Sequence, residues 1–286
     1  MSAGADARPG AGGDVARLVE MVRAVDPRAL AAARAAGPAA VPALASLRAE
    51  PDHEVRHLAA FCLVEAGGEA AVAPLVLFLD DDLPRVRRAA LDGLLRHAGP
   101  GATDVLGPLL RFHDERATAD ERRLAALVAG RVASGGAVDV APLRARYEAE
   151  KDPEAREGWT AVLASLGDER ARKAFADGLL AAREQRLARF LRDYARAIHQ
   201  PWLLKPLRPV LARREAVAFR GHGLDPEALR GCDVAIPLVA SISGRRFSFP
   251  TDGPRRFTDE QIDEVASYLS RLPPEPGGAA AGGGQP

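Results

Sequence analysis

His53-Glu54-Val55-Arg56-His57 is the run in this chain whose residue types and spacing come nearest to hydrolytic chemistry. Two histidines four apart share a helix face and can hold zinc, while the glutamate between them activates a bound water. The surrounding residues argue against that use. Pro51 lies just ahead of a helix start, which puts His53 in a solvated first turn. Position 56 carries a charge where a zinc-binding helix needs an apolar residue. Leu63 stands ten residues after His53, where a third histidine ligand would be. The sequence predicts no metal, no cofactor and no catalytic residue in this run.

Cys232 is a second candidate, because a thiolate with a histidine partner is a nucleophile, and His222 is the nearest such partner. Its setting, Gly231-Cys232-Asp233 before an apolar run, reads instead as a small buried residue opening a helix. Cys62 is the other cysteine, so neither a disulfide framework nor a CxxC zinc or redox pair exists.

Charge supplies the third candidate. The chain of 286 residues has a formal net charge of zero, which removes any global argument for nucleic acid or membrane surfaces. From Arg183 to Arg220, however, ten basic residues meet three acidic ones, a local balance of +7. Leu187, Phe190, Leu191, Tyr194 and Ile198 make a buried stripe at helical spacing, which leaves the arginines outside. The block reads either as a solvated face or as a docking surface for an acidic partner, protein or nucleic acid. Trp202, Lys205 and Arg208 are the predicted contacts, with Arg213 and Arg214 as a charged rim.

The elements that must position these residues follow from a repeat. A Pro-Leu pair recurs at Pro74-Leu75, Pro108-Leu109, Pro142-Leu143 and Pro206-Leu207, preceded by Val41-Pro42-Ala43-Leu44. The prolines are 32, 34, 34 and 64 residues apart, the last being two periods. Between them lie Val55-Arg56, Val86-Arg87, Arg123 in a looser copy, and Ala155-Arg156. Gly and Asp-Pro breaks cut the chain into intervals right for three- to four-turn helices. Self-similarity at this period means stacked helix pairs rather than one closed core. Aromatics make up only 5% of the residues, and small side chains suit thin, closely packed layers.

Six pairs fit, at about 28–50, 52–80, 83–113, 118–149, 153–182 and 184–213, the last made irregular by Pro201, Pro206 and Pro209. A first helix is predicted over Val15–Val25 with Asp14 as its cap. Ala216 to Gly223 reads as a loop, Pro226 to Ser243 as a helix bent at Pro237, and Arg246–Phe249 as one short extended piece. Thr258 and Gln261 form a capping box for a helix to Leu272, with Phe257 and Ile262 at the staple positions. The predicted organisation is a disordered 1–14, a solenoid over 15–214, a capping segment over 215–272 and a disordered tail over 273–286. Met1 to Gly13 has no apolar run, and no window approaches 18 uninterrupted apolar residues, so neither a secretory leader nor a membrane span is expected. The expectation is a cytoplasmic protein.

Asp52 to Leu79, Leu83 to Leu110 and Asp152 to Leu180 resemble HEAT repeats of the bacterial PBS-lyase HEAT-like subtype, and the resemblance covers roughly residues 28 to 213. It implies an all-α fold, an α-solenoid of about six HEAT-like helix pairs with a C-terminal helical cap, its concave face lined by the second helices. It also implies a ladder in which an aspartate before each first helix pairs with an arginine one turn inside it. Asp52 with Arg56, Asp82 with Arg87, Asp120 with Arg123, and Asp152 with Arg156 match that pattern. Each carboxylate would lie near a positive helix N-terminus and pair with guanidinium groups between layers, so Arg87→Ala should cost roughly 1–3 kcal/mol. Deoxyhypusine hydroxylase, a HEAT-repeat iron enzyme, places His-Glu pairs in several repeats. Here the repeat equivalents of His53 and His57 are Pro84 and Arg88, so that site does not assemble. The HEAT-like DNA glycosylases need aromatic and acidic residues on a basic concave face. Trp159, Trp202, Asp168 and Asp177 supply the types but no spacing signature.

Taken together, the expectation is a non-enzymatic scaffold or adaptor that binds another protein with an acidic surface. The alternatives are a nucleic-acid-binding solenoid or an inhibitor- or immunity-type protein clamping one acidic partner.

Overall fold

The computed structural model describes residues 11–112, 116–135, 138–220 and 226–273. The expected disordered ends lie largely outside these residues. Contacts divide the chain into two compact units that meet in sequence at Gly167 and Asp168. That point coincides with the Gly167-Asp168 break between helices.

The first unit is an α-solenoid. Helix α1 runs over Ala11–Arg23, starting four residues before the Val15 that the sequence suggested, so Asp14 lies inside its first turn instead of capping it. Four helix pairs follow: α2 (Ala29–Ala36) with α3 (Val41–Ser46), α4 (His53–Gly67) with α5 (Val72–Leu77), α6 (Pro84–His97) with α7 (Leu106–Arg111), and α8 (Ala119–Ala133) with α9 (Ala141–Ala149). Helix α10 (Pro153–Ser165) closes the unit against α8. Each Pro of the repeating Pro-Leu pair sits in the first turn or middle of a short second helix, and its Leu is buried: Leu44, Leu75, Leu109 and Leu143. Asp52 and Asp152 cap α4 and α10, accepting backbone N–H groups at 2.8 and 2.9 Å.

By length and composition alone, Ala29–Ala49 and His53–Asp80 could each cross a membrane. Each is interrupted by a glycine at positive φ, Gly37 at 61° and Gly68 at 49°, a conformation that L side chains avoid. They are therefore the two helices of one repeat, turned at the glycine, rather than single rods.

Close packing of α8 and α10 depends on Gly158. A Cβ there would stand 2.9 Å from the backbone oxygen of Arg123 and 3.2 Å from its Cα, and neither atom can rotate away. Gly158→Ala should therefore destabilise the first unit by about 1–3 kcal/mol through overpacking. That outweighs the gain of about 1 kcal/mol expected from alanine's helix propensity. Urea unfolding followed by far-UV circular dichroism measures it, and an unchanged or raised midpoint would contradict this packing.

The second unit begins with α11 (Glu169–Ala181), capped by Asp168, whose carboxylate accepts from the N–H of Ala171 at 3.0 Å. Helix α12 (Glu184–Arg189) runs into a wider π turn over Phe190–Ala195 and on to α13 (Arg196–Ile198), ended by His199 in the left-handed region at φ 44°. Prolines 201, 206 and 209 break the following segment into 3₁₀ turns around the short α14 (Leu204–Leu207).

The segment after α14 corrects the sequence reading. Ala216–Arg220 is a strand, β1, not a loop, and it pairs antiparallel with β2, Glu227–Arg230. The register runs Ala218 to Leu229, Phe219 to Ala228 and Arg220 to Glu227, with an irregularity between Ala216 and Ala218. The all-α expectation thus gains one small hairpin. Helix α15 (Gly231–Ser243) starts five residues later than expected and carries Pro237 within it. No strand forms over Arg246–Phe249; Phe247 and Phe249 stack at 5.9 Å instead. Helix α16 (Asp259–Ser270) has the Thr258–Gln261 capping box, with Phe257 and Ile262 both buried.

Candidate functional site

The arginine ladder in the first unit has a different register from the one the sequence suggested. Arg56 Nη1 donates to the carbonyls of Glu50 and Pro51, both at 3.0 Å. Its Nε reaches Asp81 Oδ2 at 2.7 Å, and its Nη2 reaches Asp82 Oδ1 at 2.6 Å. Arg87 repeats the arrangement. Its Nη1 donates to the carbonyls of Asp81 and Asp82, while Nε and Nη2 hold Glu121 bidentately at 3.0 and 3.1 Å. Arg122, not Arg123, makes the third rung, with Nη1 on the carbonyl of Ala117 and Nε on Glu150 at 3.1 Å. Each rung ties a helix start to a carboxylate belonging to the next layer. Burial alone would raise the Asp81 pKa, but the Arg56 guanidinium and the Leu83 N–H hold it below the ordinary value.

The expected pairs are thereby redistributed. Asp82 belongs to Arg56, and Arg87 takes Glu121 instead of Asp82. Arg123 does pair with Asp120, at 2.6 Å within one helix turn. Asp52 and Asp152 cap helices. Arg156 lies exposed with its guanidinium 4.8 Å from the Tyr147 ring centre, outside the ladder. A second row joins the far ends of the first helices: Glu65 accepts from Arg34 at 2.6 Å and from Arg96 at 3.1 Å.

At the HExxH run, Glu54 is paired with Arg85 at 2.7 Å, and His53 Nε2 lies 3.6 Å from Glu54. His57 packs edge-on to Phe61, and burial, followed by the charge of Arg85, depresses its pKa. Among the described residues, no group of three or more His, Cys, Asp and Glu is placed to hold a metal. Cys62 is buried, its pKa pushed up to about 12. Cys232 is likewise raised by burial, then by the charge of Asp233, and His222 lies outside the described residues. Thiols so shifted are protonated at neutral pH and poor nucleophiles. Trp159 is buried in the core, and Asp177 pairs with Lys173 at 2.6 Å.

Two surface features can recognise a partner. In the first unit, a crevice of 230 Å³ opens between the second helices α5 and α7. Val76, Leu77, Pro108 and Phe112 make its apolar wall, and Arg111 and Arg116 stand at its edge. Leu77 is unusually exposed for a leucine, at 47%.

In the second unit, the basic block separates into tethered and free groups. Arg183 donates to the carbonyls of Leu180 and Ala182, and Arg186 lies over the Phe190 ring. Arg213 also bonds the carbonyls of Leu180 and Ala182, at the end of α11, and pairs with Glu215 at 2.9 Å. Arg214 donates to the carbonyl of Leu211 and lies 3.4 Å from Asp259. Trp202 belongs to an aromatic cluster with Phe175, Phe190 and Tyr194, beneath Arg172, and its Nε1 donates to Gln200. Trp202 and Arg213, two of the predicted contacts, thus have partners within their own chain. Lys205 and Arg208 are exposed, and their side chains have no hydrogen bond, ion pair or ring contact among the described residues.

The comparisons with known proteins bear on the fold. No curated protein matches the sequence. The chain is similar to the solved structure of human deoxyhypusine hydroxylase in complex with glycerol, with 19% identity and a TM-score of 0.36, covering 91% of this chain and 96% of that one. That protein is an enzyme, and on this finding the expectation of a chain without catalytic activity is withdrawn. A likeness this distant transfers no activity or residue roles. The family model described as HEAT repeats matches residues 40–121. This span holds the Arg56 and Arg87 rungs together with the acids they grip, and residues 40–121 are HEAT-like repeats within a helical repeat scaffold.

Proposed function

We propose that this chain is a HEAT-repeat binding module, acting in the cytoplasm, that docks a protein partner with an acidic surface. The observation that carries the reading is the contrast within the basic block. Arg183, Arg213 and Arg214 are engaged with their own chain, while Lys205 on α14 and Arg208 just after it face solvent unpaired. A cation with no intramolecular partner loses no existing ion pair when a carboxylate arrives. Such surface charge acts chiefly on encounter rate and specificity.

The test is a double charge reversal. A partner recovered with the wild-type chain should bind Lys205→Glu/Arg208→Glu more weakly by about ten-fold or more, and with a flatter salt dependence. Helicity and melting should not change, because both side chains are exposed. Equal affinity and equal salt dependence for the two proteins would end the assignment to this surface.

A further inference from the structure

We propose that a cleft in the second unit binds a small phosphate monoester with a compact apolar body. The cleft measures 580 Å³, within the range of about 300–1,000 Å³ typical of small-molecule sites. Its apolar floor is Leu191, Val234, Pro237 and Leu238, supplied by the π turn on one side and α15 on the other. Its polar groups are Arg192, Arg196, His199, Ser241 and Thr251.

Three independent features point to an anion. Arg192 and Arg196 line the same cleft, exposed, their guanidinium groups with no hydrogen bond or ion pair among the described residues. Elsewhere in this chain, neighbouring arginines such as Arg122–Arg123 and Arg213–Arg214 are each taken up by carboxylates or carbonyls. Two unpaired guanidinium groups beside one another repel, and an oxyanion between them removes that cost while offering bidentate acceptors. The cleft's one carboxylate, Asp252, is already engaged by Arg255, so it leaves the positive charge standing.

The second feature is His199. Its Nε2 lies 2.8 Å from Ser241 Oγ, across the cleft wall from α13 to α15. With an anion present, the favourable arrangement has Nε2–H donating to Oγ, which frees the Ser241 O–H to donate to the ligand. The third feature is the backbone that sets these groups. Arg192 lies inside the π turn, and His199 ends the helix at φ 44°, a left-handed conformation uncommon for a residue with a side chain. Unusual turns of both kinds recur at functional sites. Two guanidinium groups and two hydroxyls, one of them oriented by His199, exceed what the two oxygens of a carboxylate need, and they suit the three terminal oxygens of a phosphate. The apolar floor then selects an ester over inorganic phosphate.

The experiment is calorimetric titration of the full chain with phenyl phosphate, with inorganic phosphate as the second probe. Saturable one-to-one binding is expected, with phenyl phosphate tighter by about ten-fold, as burial of an apolar ring allows. Arg192→Gln/Arg196→Gln should weaken phenyl phosphate by at least about ten-fold through loss of the charge-assisted bonds. Ser241→Ala should weaken it by a smaller factor. Lys205→Gln/Arg208→Gln lies outside the cleft and should leave this titration unchanged, which separates the cleft from the protein-docking surface. Absence of saturable binding overturns the proposal, as does equal affinity in Arg192→Gln/Arg196→Gln with its melting unchanged. Equal affinity for the two probes removes the apolar floor from the site, and with it the ester.

Discussion

Arg87→Ala is expected to destabilise the first unit by about 3–5 kcal/mol, the range for removing one partner of a buried ion pair. Arg87 and Glu121 are only 3% and 2% exposed, so the carboxylate left behind would have no water to turn to. The guanidinium also satisfies the carbonyls of Asp81, Asp82 and Arg116, which would lose their donors at the same time. This exceeds the roughly 1–3 kcal/mol expected from the sequence, where the partner was taken as Asp82. Urea unfolding in a Trp202→Phe background reads the effect, because buried Trp159 then reports on the first unit alone. Arg87→Met with Glu121→Leu should recover part of the loss but not all, since the carbonyls stay unpaired. A single substitution costing under about 1 kcal/mol would place the pair in the class of exposed surface bridges.

Asp233→Ala should have a comparable effect in the second unit. Asp233 is fully buried, holds Arg230 by two bonds at 2.9 Å, and accepts the N–H groups of Arg230 and Phe257. One carboxylate thus joins the end of β2, the first turn of α15 and the approach to α16. Its removal leaves Arg230, itself largely buried, without its counter-charge, again at a cost of about 3–5 kcal/mol. Burial on its own would raise the pKa of Asp233; the Arg230 guanidinium and the backbone N–H groups reverse this and hold it below the ordinary value. A depressed carboxylate contributes stability that is fully present above its unfolded pKa of about 3.9 and is lost as pH falls through the folded value. Protection of the amides over Gly231–Ser243, taken relative to their intrinsic exchange rate at each pH, should therefore fall below about pH 4 in the wild type. In Asp233→Ala it should be low already at neutral pH, and wild-type protection in that variant would show that Asp233 holds nothing together.

The repeat was legible because Pro, Leu and Arg recur at a period that one helix pair imposes. The rung register was not. Asp80-Asp81-Asp82, Asp120-Glu121 and Arg122-Arg123 each offer adjacent residues of one charge, and a single residue turns a side chain by 100° around a helix. Loop length decides which neighbour meets the next layer, and loop length is the least regular feature of these repeats. The β pairing was missed because Ala216-Val217-Ala218-Phe219 is a short apolar run without the apolar–polar alternation that marks a strand. Trp202 looked like a contact residue for its type, and only packing assigns it to the aromatic cluster. His199 and Ser241 are 42 residues apart with no local pattern joining them, so their meeting follows only from how α13 and α15 pack.

The rungs Arg56–Asp81, Arg87–Glu121 and Arg122–Glu150 span 25, 34 and 28 residues, never more than one repeat. Loop-closure entropy grows only slowly with length, and here it never has to bridge more than the neighbouring pair. No fastening waits for the distant end of the unit to arrive. Under tension applied along the chain, such a stack yields like a zip rather than a lock. An end pair peels away, lengthening the chain by roughly 100 Å for about thirty residues drawn straight, while the rungs further in stay closed.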